Sequence, residues 1–405
     1  MRVVSEIKQS LKISIWFMFL TFPILVIRVN TIDNVIQWRW MNMVLTGFGA
    51  FFGSMLWRYF LNLKTQKRHT HSRLHHRMEW LRSRIGEKQV YIPLTFVIIG
   101  FVMAFPFLFS MYQTNIMITS LIYVMLGLGL NIVVGLAGLL DLGYVAFYMV
   151  GAYTYGLLNF HFGLGFWSTL PIAALLSAFA GILLGYPVLR LRGDYLAIVT
   201  LGFGEIIRLV LENWGEFSHG PSGIANIDRP SFFGMEMSLT QNTIFTYYVM
   251  IGMVMFTIFV VNRLKNSRIG RAWIALREDE IACQAMGIDR TRTKLTAFAL
   301  GATWAGMGGV VFATKTTFIN PASFTLWESI IILCIVVLGG MGSILGVIVG
   351  AFILILLPEY LRAFSEYRLL IFGVMLVVMM VFRPEGIIRN VRRTYTFAGK
   401  GGSHP

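Results

Sequence analysis

Long apolar runs dominate this chain, and they leave few ways to fold it. Several reach the roughly 20 residues that a membrane-spanning helix needs. They fall near residues 12–29, 43–63, 90–110, 115–137, 142–160, 168–189, 195–211, 244–262, 295–315, 329–357 and 367–382. Inside a bilayer every backbone polar group must be satisfied by the protein, so only helices and closed barrels span it. Strand-like alternation in blocks of about ten residues, the mark of a membrane barrel, is absent. Composition agrees: 13% of the residues are charged, against about 25% in soluble domains, and the mean hydropathy is +0.70. The sequence therefore predicts an all-α polytopic membrane protein with about 10–12 membrane segments. The first run, Lys12 to Arg28, lacks a small-residue cleavage site after it and reads as an anchor rather than a removable signal peptide.

A net charge of +15 would suggest nucleic acid in a soluble protein. Here the positive residues set topology, because short cytoplasmic loops collect Lys and Arg. With the N-terminus in the cytoplasm, the gaps 64–88, 190–194 and 263–294 fall inside, and 26 of the 34 Lys and Arg residues become cytoplasmic. The loop 212–243 falls outside, with Arg229 set against Glu212, Glu216, Asp228 and Glu236. The run 329–357 is interrupted by "LGGMGSILG". A turn at Gly339, Gly340 and Gly342 divides it into a broken helical hairpin and brings the basic tail, from Arg383 onward, back to the cytoplasm. Both termini are then cytoplasmic. Residues 132–153 echo 335–352: each reads as a helix, a glycine-rich break and a second helix, a form of internal repeat common in transporters.

Glycines cluster within the spans. Gly342, Gly346 and Gly350 recur at four-residue spacing, and Gly127, Gly129, Gly135, Gly138 and Gly143 crowd a second region. Small residues at such spacing let helix backbones approach closely. The same glycines also suit flexible or broken helices beside a translocation path.

Three stretches place charge where it is informative. In "GDYLAIVTLGFGEIIRLVLENW", Gly193 to Trp214, Asp194 lies at the cytoplasmic end of a span and closes a turn with Arg190 and Arg192. Glu205 lies eleven residues further on, roughly 16 Å at 1.5 Å per residue. Arg208 follows at i+3, close enough to pair. A lone charge at that depth costs about 2.5–3.5 kcal/mol or more, so a partner or a wet cavity is required. Glu205 and Arg208 are thus either a structural ion pair or groups lining the substrate route, and Gly202 and Gly204 are placed to thin or break the helix.

The second stretch, "GRAWIALREDEIACQAMGIDRTRTKLTAFALG", begins on the cytoplasmic side. Ile274, Ile281, Ala285 and Ile288 are spaced for one apolar helix face, Arg277 to Glu280 form a dense charged turn, and Gly287 suits a left-handed helix stop. Such a short exposed helix between two spans suits a solvated loop or a docking element for a soluble partner. The third, Lys64 to Lys88, places Leu74, Met78, Leu81 and Ile85 on one face of a basic helix, suited to anionic lipid at the inner surface. Its histidines, His69, His71, His75 and His76, lack a carboxylate or cysteine to complete a metal site.

Catalytic signatures are missing. There is no G-x-x-x-x-G-K-[ST] for ATP, and no G-x-S-x-G or H-E-x-x-H. Cys283 and Cys334 lie far apart in different kinds of segment and imply neither a disulfide framework nor a metal site. No metal, no cofactor and no catalytic residue is expected.

"NIVVGLAGLLDLGYVAFYMVGAY", "GYPVLRLRGDYLAIVTLGFGEIIR", "GRAWIALREDEIACQAMGIDRTRTKLTAF" and "VVLGGMGSILGVIVGA" resemble the M-type permease subunit of bacterial high-affinity branched-chain amino acid ABC importers. The likeness runs from about Tyr91 to Gly386. It implies an ABC importer permease fold, with an N-terminal extension over 1–89, a permease core over 90–385 and a basic cytoplasmic tail over 386–405. It implies import of leucine, isoleucine and valine through half of a heteromeric pore in the inner membrane. Urea or short-chain amides, carried by related permeases, are the alternative cargo. The partners it implies are a second homologous permease, two ABC ATPases and a periplasmic substrate-binding protein. It implies that the ATPase docks on the loop holding Arg271, Arg277, Glu278, Asp279, Glu280, Ala282, Cys283 and Gly287. Many importers carry Glu-Ala-Ala followed by Gly in that loop. This chain instead has Glu280-Ile281-Ala282-Cys283, with Gly287 seven residues after Glu280.

Overall fold

A serine and a glutamine start the central helix. Ser110 accepts the Gln113 amide, and the Gln113 side chain accepts the Ser110 amide, which satisfies two donors that a helix start would leave open. The helix α1, Met111–Leu130, follows and runs on as a π-helical turn, Asn131–Leu136. In this computed structural model, residues 100–188, 193–230 and 237–361 are described almost throughout, with scattered positions at 11–55 and 370–388. The chain divides into two units, residues 1–100 and 101–405.

In the first unit, β1 (Ile27–Asn30) pairs antiparallel with β2 (Val35–Trp38), Ile27 opposite Trp38. The run 12–29, read from hydropathy as one span, therefore ends in a hairpin strand. The β-branched residues Ile27, Val29, Val35 and Ile36 favour a pleated conformation over a helical one. Residues 11, 14 and 18 and residues 40, 41, 43, 44, 47, 48, 51 and 55 are helical, and the buried Ser14 hydroxyl donates to the Gly47 carbonyl at 2.7 Å. The basic segment 64–88 with its histidines, Arg190, Arg192 and most of the tail lie outside the described residues.

In the second unit the helices follow the apolar runs: α2 (Tyr144–Phe162), α3 (Phe166–Val188), α4 (Asp194–Asn213), a short α5 (Gly215–Ser218) and α6 (Leu239–Lys265). Then come α7 (Arg268–Glu278), α8 (Glu280–Ala285), α9 (Arg290–Thr316), α10 (Leu326–Gly339) and α11 (Ile344–Tyr360). Strands β3 (Ile224–Ala225) and β4 (Phe318–Ile319) tie the 212–243 loop to the end of α9. Among the described residues, five helical stretches are long and apolar enough to cross a membrane: 111–136, 166–188, 239–265, 290–316 and 321–339; Ile344–Tyr360 is a shorter apolar helix. The chain is an all-α polytopic membrane protein.

Helix α9 sits at the centre, and small residues hold its neighbours close. A Cβ added to Gly181 on α3 would come within 2.8 Å of the Ala302 Cβ on α9, and one on Gly309 would come within 2.6 Å of the Ala152 amide on α2. Where no hydrophobic force separates protein from lipid, this close packing replaces it. Helix α4 is continuous through Gly202 and Gly204, contrary to the thinning read from the sequence. Gly204 instead packs against Gly143, its added Cβ lying 3.4 Å from the Gly143 Cα.

The run 329–357 is two helices. Between them Gly340 and Gly342 take φ values of 113° and 80°, where a side chain would be strained. Ser343 caps the second helix through the Gly346 amide. The last carbonyls of α10 are not left bare: the Ile387 and Ile388 amides donate to Leu338 and Gly339 at 2.9 and 3.1 Å.

Gly339→Ala places a methyl within 2.8 Å of the Val347 amide nitrogen. Overpacking of this kind costs about 1–3 kcal/mol, so the melting temperature of the purified protein is expected to fall. Gly252→Ala, in open space, should leave it unchanged. Equal melting temperatures for the two variants would contradict the tight hairpin.

Candidate functional site

The two glycine breaks meet. The buried Asn131, first residue of the π turn, accepts the Gly342 amide on its Oδ1 at 2.8 Å. A Cβ on Gly135 would lie 2.6 Å from that same Gly342 nitrogen. Two cations then reach the free carbonyls. Arg277 Nη1 donates to the Gly135 carbonyl at 2.6 Å, and Lys265 Nζ donates to the Gly342 carbonyl at 2.9 Å. Gly138, at φ 73°, closes over the Arg277 stem, where a Cβ would come within 2.6 Å of Cγ.

Arg277 lies in the last turn of α7, so this contact joins the loop that follows α6 to the breaks. The loop is anchored at three further points. Ser267 caps α7 through the Gly270 amide. Trp273 is fully buried and donates from Nε1 to the Thr293 carbonyl at 3.0 Å. Asp279 caps α8, its Oδ1 accepting the Ile281 and Ala282 amides at 2.8 and 3.0 Å.

Of the residues expected in the docking loop, Glu280 turns inward and pairs with the buried Lys294, and Cys283 is buried. Gly287 adopts φ 81° and ends the loop. Arg271 is exposed, its Nη1 donating to the Asn266 carbonyl at 3.1 Å, and Glu278 and Ala282 are exposed. The apolar face read from Ile274, Ile281, Ala285 and Ile288 does not exist as one stripe. The chain changes direction at Asp279, so Ile274 stays half-buried while Ile281 is 70% exposed. Met286, 83% exposed, joins Ile281 on the open surface.

Next to the first break lies Asp141, which sequence reasoning missed. It is fully buried between the π turn and α2, and its Oδ1 accepts the Gly143 amide at 2.9 Å. The Leu142 amide donates to Thr200 Oγ1 at 3.0 Å, which ties the break to α4. Polar residues inside an apolar run are the signal that would have found Asn131 and Asp141.

On α4 the structure brings Glu205 and Arg208 together, and adds Glu212. Arg208 Nε lies 2.8 Å from Glu205, and Nη1 lies 2.8 Å from Glu212. The three side chains are 23–37% exposed. An apolar cavity of about 500 Å³ beside α4 is lined by Ile206, Ile207, Val210 and Leu211, not by these charges.

A second polar region occupies the opposite end of the bundle, and none of it was singled out from sequence. Along α1, Thr119 accepts from Lys315 on α9, and Tyr123 donates to Glu328 at the start of α10. Tyr148, Phe312 and Phe324 pack nearby in tilted and edge-to-face contacts, ring centroids 5.3–5.6 Å apart.

Residues 112–380 match the family described as branched-chain amino acid transport system / permease component. The chain belongs to this family. It is 50% identical over 309 residues to the LivM permease proteins of the high-affinity branched-chain amino acid transport systems of Salmonella typhimurium and Escherichia coli, covering 71% of this chain and 73% of each relative. It is 27% identical over 242 residues to the autoinducer 2 import system permease protein LsrC of Salmonella paratyphi B, covering 56% of this chain and 67% of that relative. No solved structure matches. The relatives are permease subunits, and the chain is, like them, a multi-pass membrane protein.

Arg208 bridges two carboxylates. Its removal strands both on one helix face, whereas removal of either acid leaves a pair. Arg208→Gln is therefore expected to destabilise the protein more than Glu205→Gln or Glu212→Gln, by about 0.5 kcal/mol, read as a larger fall in melting temperature. Equal shifts for the three variants would mean that the ion triad does not hold α4.

Proposed function

We propose that the chain is the permease subunit of an ATP-driven importer of leucine, isoleucine and valine, forming half of a heteromeric pore. The observation that carries this reading is 50% identity to the LivM permeases over 71% of the chain. In this reading residues 1–89 are an N-terminal extension, 90–385 the permease core and 386–405 a cytoplasmic tail. The chain sits in a bacterial inner membrane with both termini cytoplasmic, and works with a second homologous permease, two ABC ATPases and a periplasmic binding protein.

The breaks give the mechanism a physical route. The ATPase engages the exposed surface of α7 and α8, around Ile281 and Met286, with Glu278 beside it. Arg277 lies on the same rigid piece and holds the Gly135 carbonyl. A movement of the docked helix pulls on the first break, and the Asn131–Gly342 bond passes that movement to the second. ATP binding and hydrolysis in the partner thereby bias the pore between inward-open and outward-open forms. Glu280 takes no direct part in docking, since its partner is the buried Lys294. Breaking a buried pair costs about 3–5 kcal/mol, so reversal of Glu280 damages the loop itself.

The test is ATP-dependent uptake of labelled leucine by proteoliposomes holding the complete importer, with urea as competitor. Uptake that ignores urea supports the reading; uptake of urea with none of leucine overturns the cargo. Ile281→Asp with Met286→Asp is expected to abolish copurification of the ATPase without lowering the melting temperature. Arg277→Ala is expected to retain the ATPase but to lower uptake roughly tenfold, the scale of a lost charged hydrogen bond. Wild-type uptake by Arg277→Ala would remove the proposed route.

A further inference from the structure

At the end of the bundle away from the docking loop, a small cavity of about 90 Å³ opens between four segments. Its walls include Asn115 near the start of α1, Arg229 from the 212–243 loop, Asn242 and Thr243 in the first turn of α6, and Thr314 and Lys315 at the end of α9. Helix α6 fixes its depth. Asn242 is 23 residues from Lys265, which touches the break, so the two ends are about 34 Å apart, roughly one hydrocarbon thickness.

The cavity carries two positive groups. Among the described residues neither Lys315 nor Arg229 forms an ion pair. Lys315 spends one donor on the Thr119 hydroxyl. The carboxylate next in sequence to Arg229, Asp228, is held by Asn159 Nδ2 at 2.9 Å. Asn242 is nine-tenths buried, and its Oδ1 has no hydrogen-bond partner. Leaving cations half-desolvated without an anion is costly. The site is thus short of one anion. A volume near 90 Å³ admits a small charged group.

We propose that this cavity binds the carboxylate of the transported amino acid on the outer side of the route. The carboxylate meets Lys315 and Arg229. The proposal rests on the amino acid importer reading. The permease then reads a group common to all α-amino acids.

The test uses the complete importer in proteoliposomes with saturating leucine-loaded binding protein, measuring leucine uptake and ATP hydrolysis together. Lys315→Met and Arg229→Gln are each expected to lower uptake roughly tenfold or more, while hydrolysis stimulated by the binding protein is retained. Lys315→Arg, which keeps the charge, is expected to restore most of the uptake. Wild-type uptake by both neutral variants overturns the site. So does a Lys315→Arg variant no better than Lys315→Met, or loss of the second permease on purification of Lys315→Met with Arg229→Gln still active, since the cation would then serve assembly. If the unsubstituted importer does not transport leucine at all, the importer reading fails first, whatever the variants do.

Discussion

Breaking a helix inside a membrane frees backbone groups that lipid cannot satisfy, and this structure is arranged around that constraint. Two breaks are made, and each is closed by a side chain from somewhere else. Asn131 takes the Gly342 amide, Lys265 covers the Gly342 carbonyl, and Arg277 covers the Gly135 carbonyl. The tail amides of Ile387 and Ile388 close the end of α10. Remove these partners and the breaks have no low-energy form in a bilayer. Because two of the partners, Lys265 and Arg277, lie on or next to α7, the same bonds that make the breaks tolerable also join them to the exposed surface of α7 and α8.

Much of this was legible in the sequence, and the misses have physical causes. The split of 329–357 was visible because Gly339, Gly340 and Gly342 interrupt an apolar run, and the structure turns there. The loop at 270–294 was visible as a charged, amphipathic interval between spans. What it hid was direction. Arg277 and Glu280 look alike on a charged turn, yet Glu280 turns in to Lys294 and Arg277, itself exposed, reaches Gly135, partners that sequence spacing does not reveal. The expected single apolar face failed for a local reason: Asp279 caps a new helix and rotates everything after it. Glu205 and Arg208 were paired by spacing alone, but Glu212 was assigned to the outer loop, although α4 runs on to Asn213. Residues 27–29 were read as the end of a span because hydropathy does not distinguish a strand from a helix over so short a run.

The outer cavity could not have been read from one dimension. Asn115, Arg229, Asn242 and Lys315 are ordinary polar residues near the ends of four segments, and no motif links them. Only the bundle brings them together, and only their burial and unmet hydrogen bonding make the group unusual.

The glycine contacts between α2, α3 and α9 carry a mechanical consequence. Gly151 faces Gly306, Gly181 faces Ala302, and Gly309 faces Ala152, each at backbone contact. Surfaces this close leave almost no side chain to slide past or to take up a change of angle. The three helices form a lever of fixed shape. Whatever force enters at Arg277 has to turn that lever as a whole, so flexing is left to its joints with the elements around it.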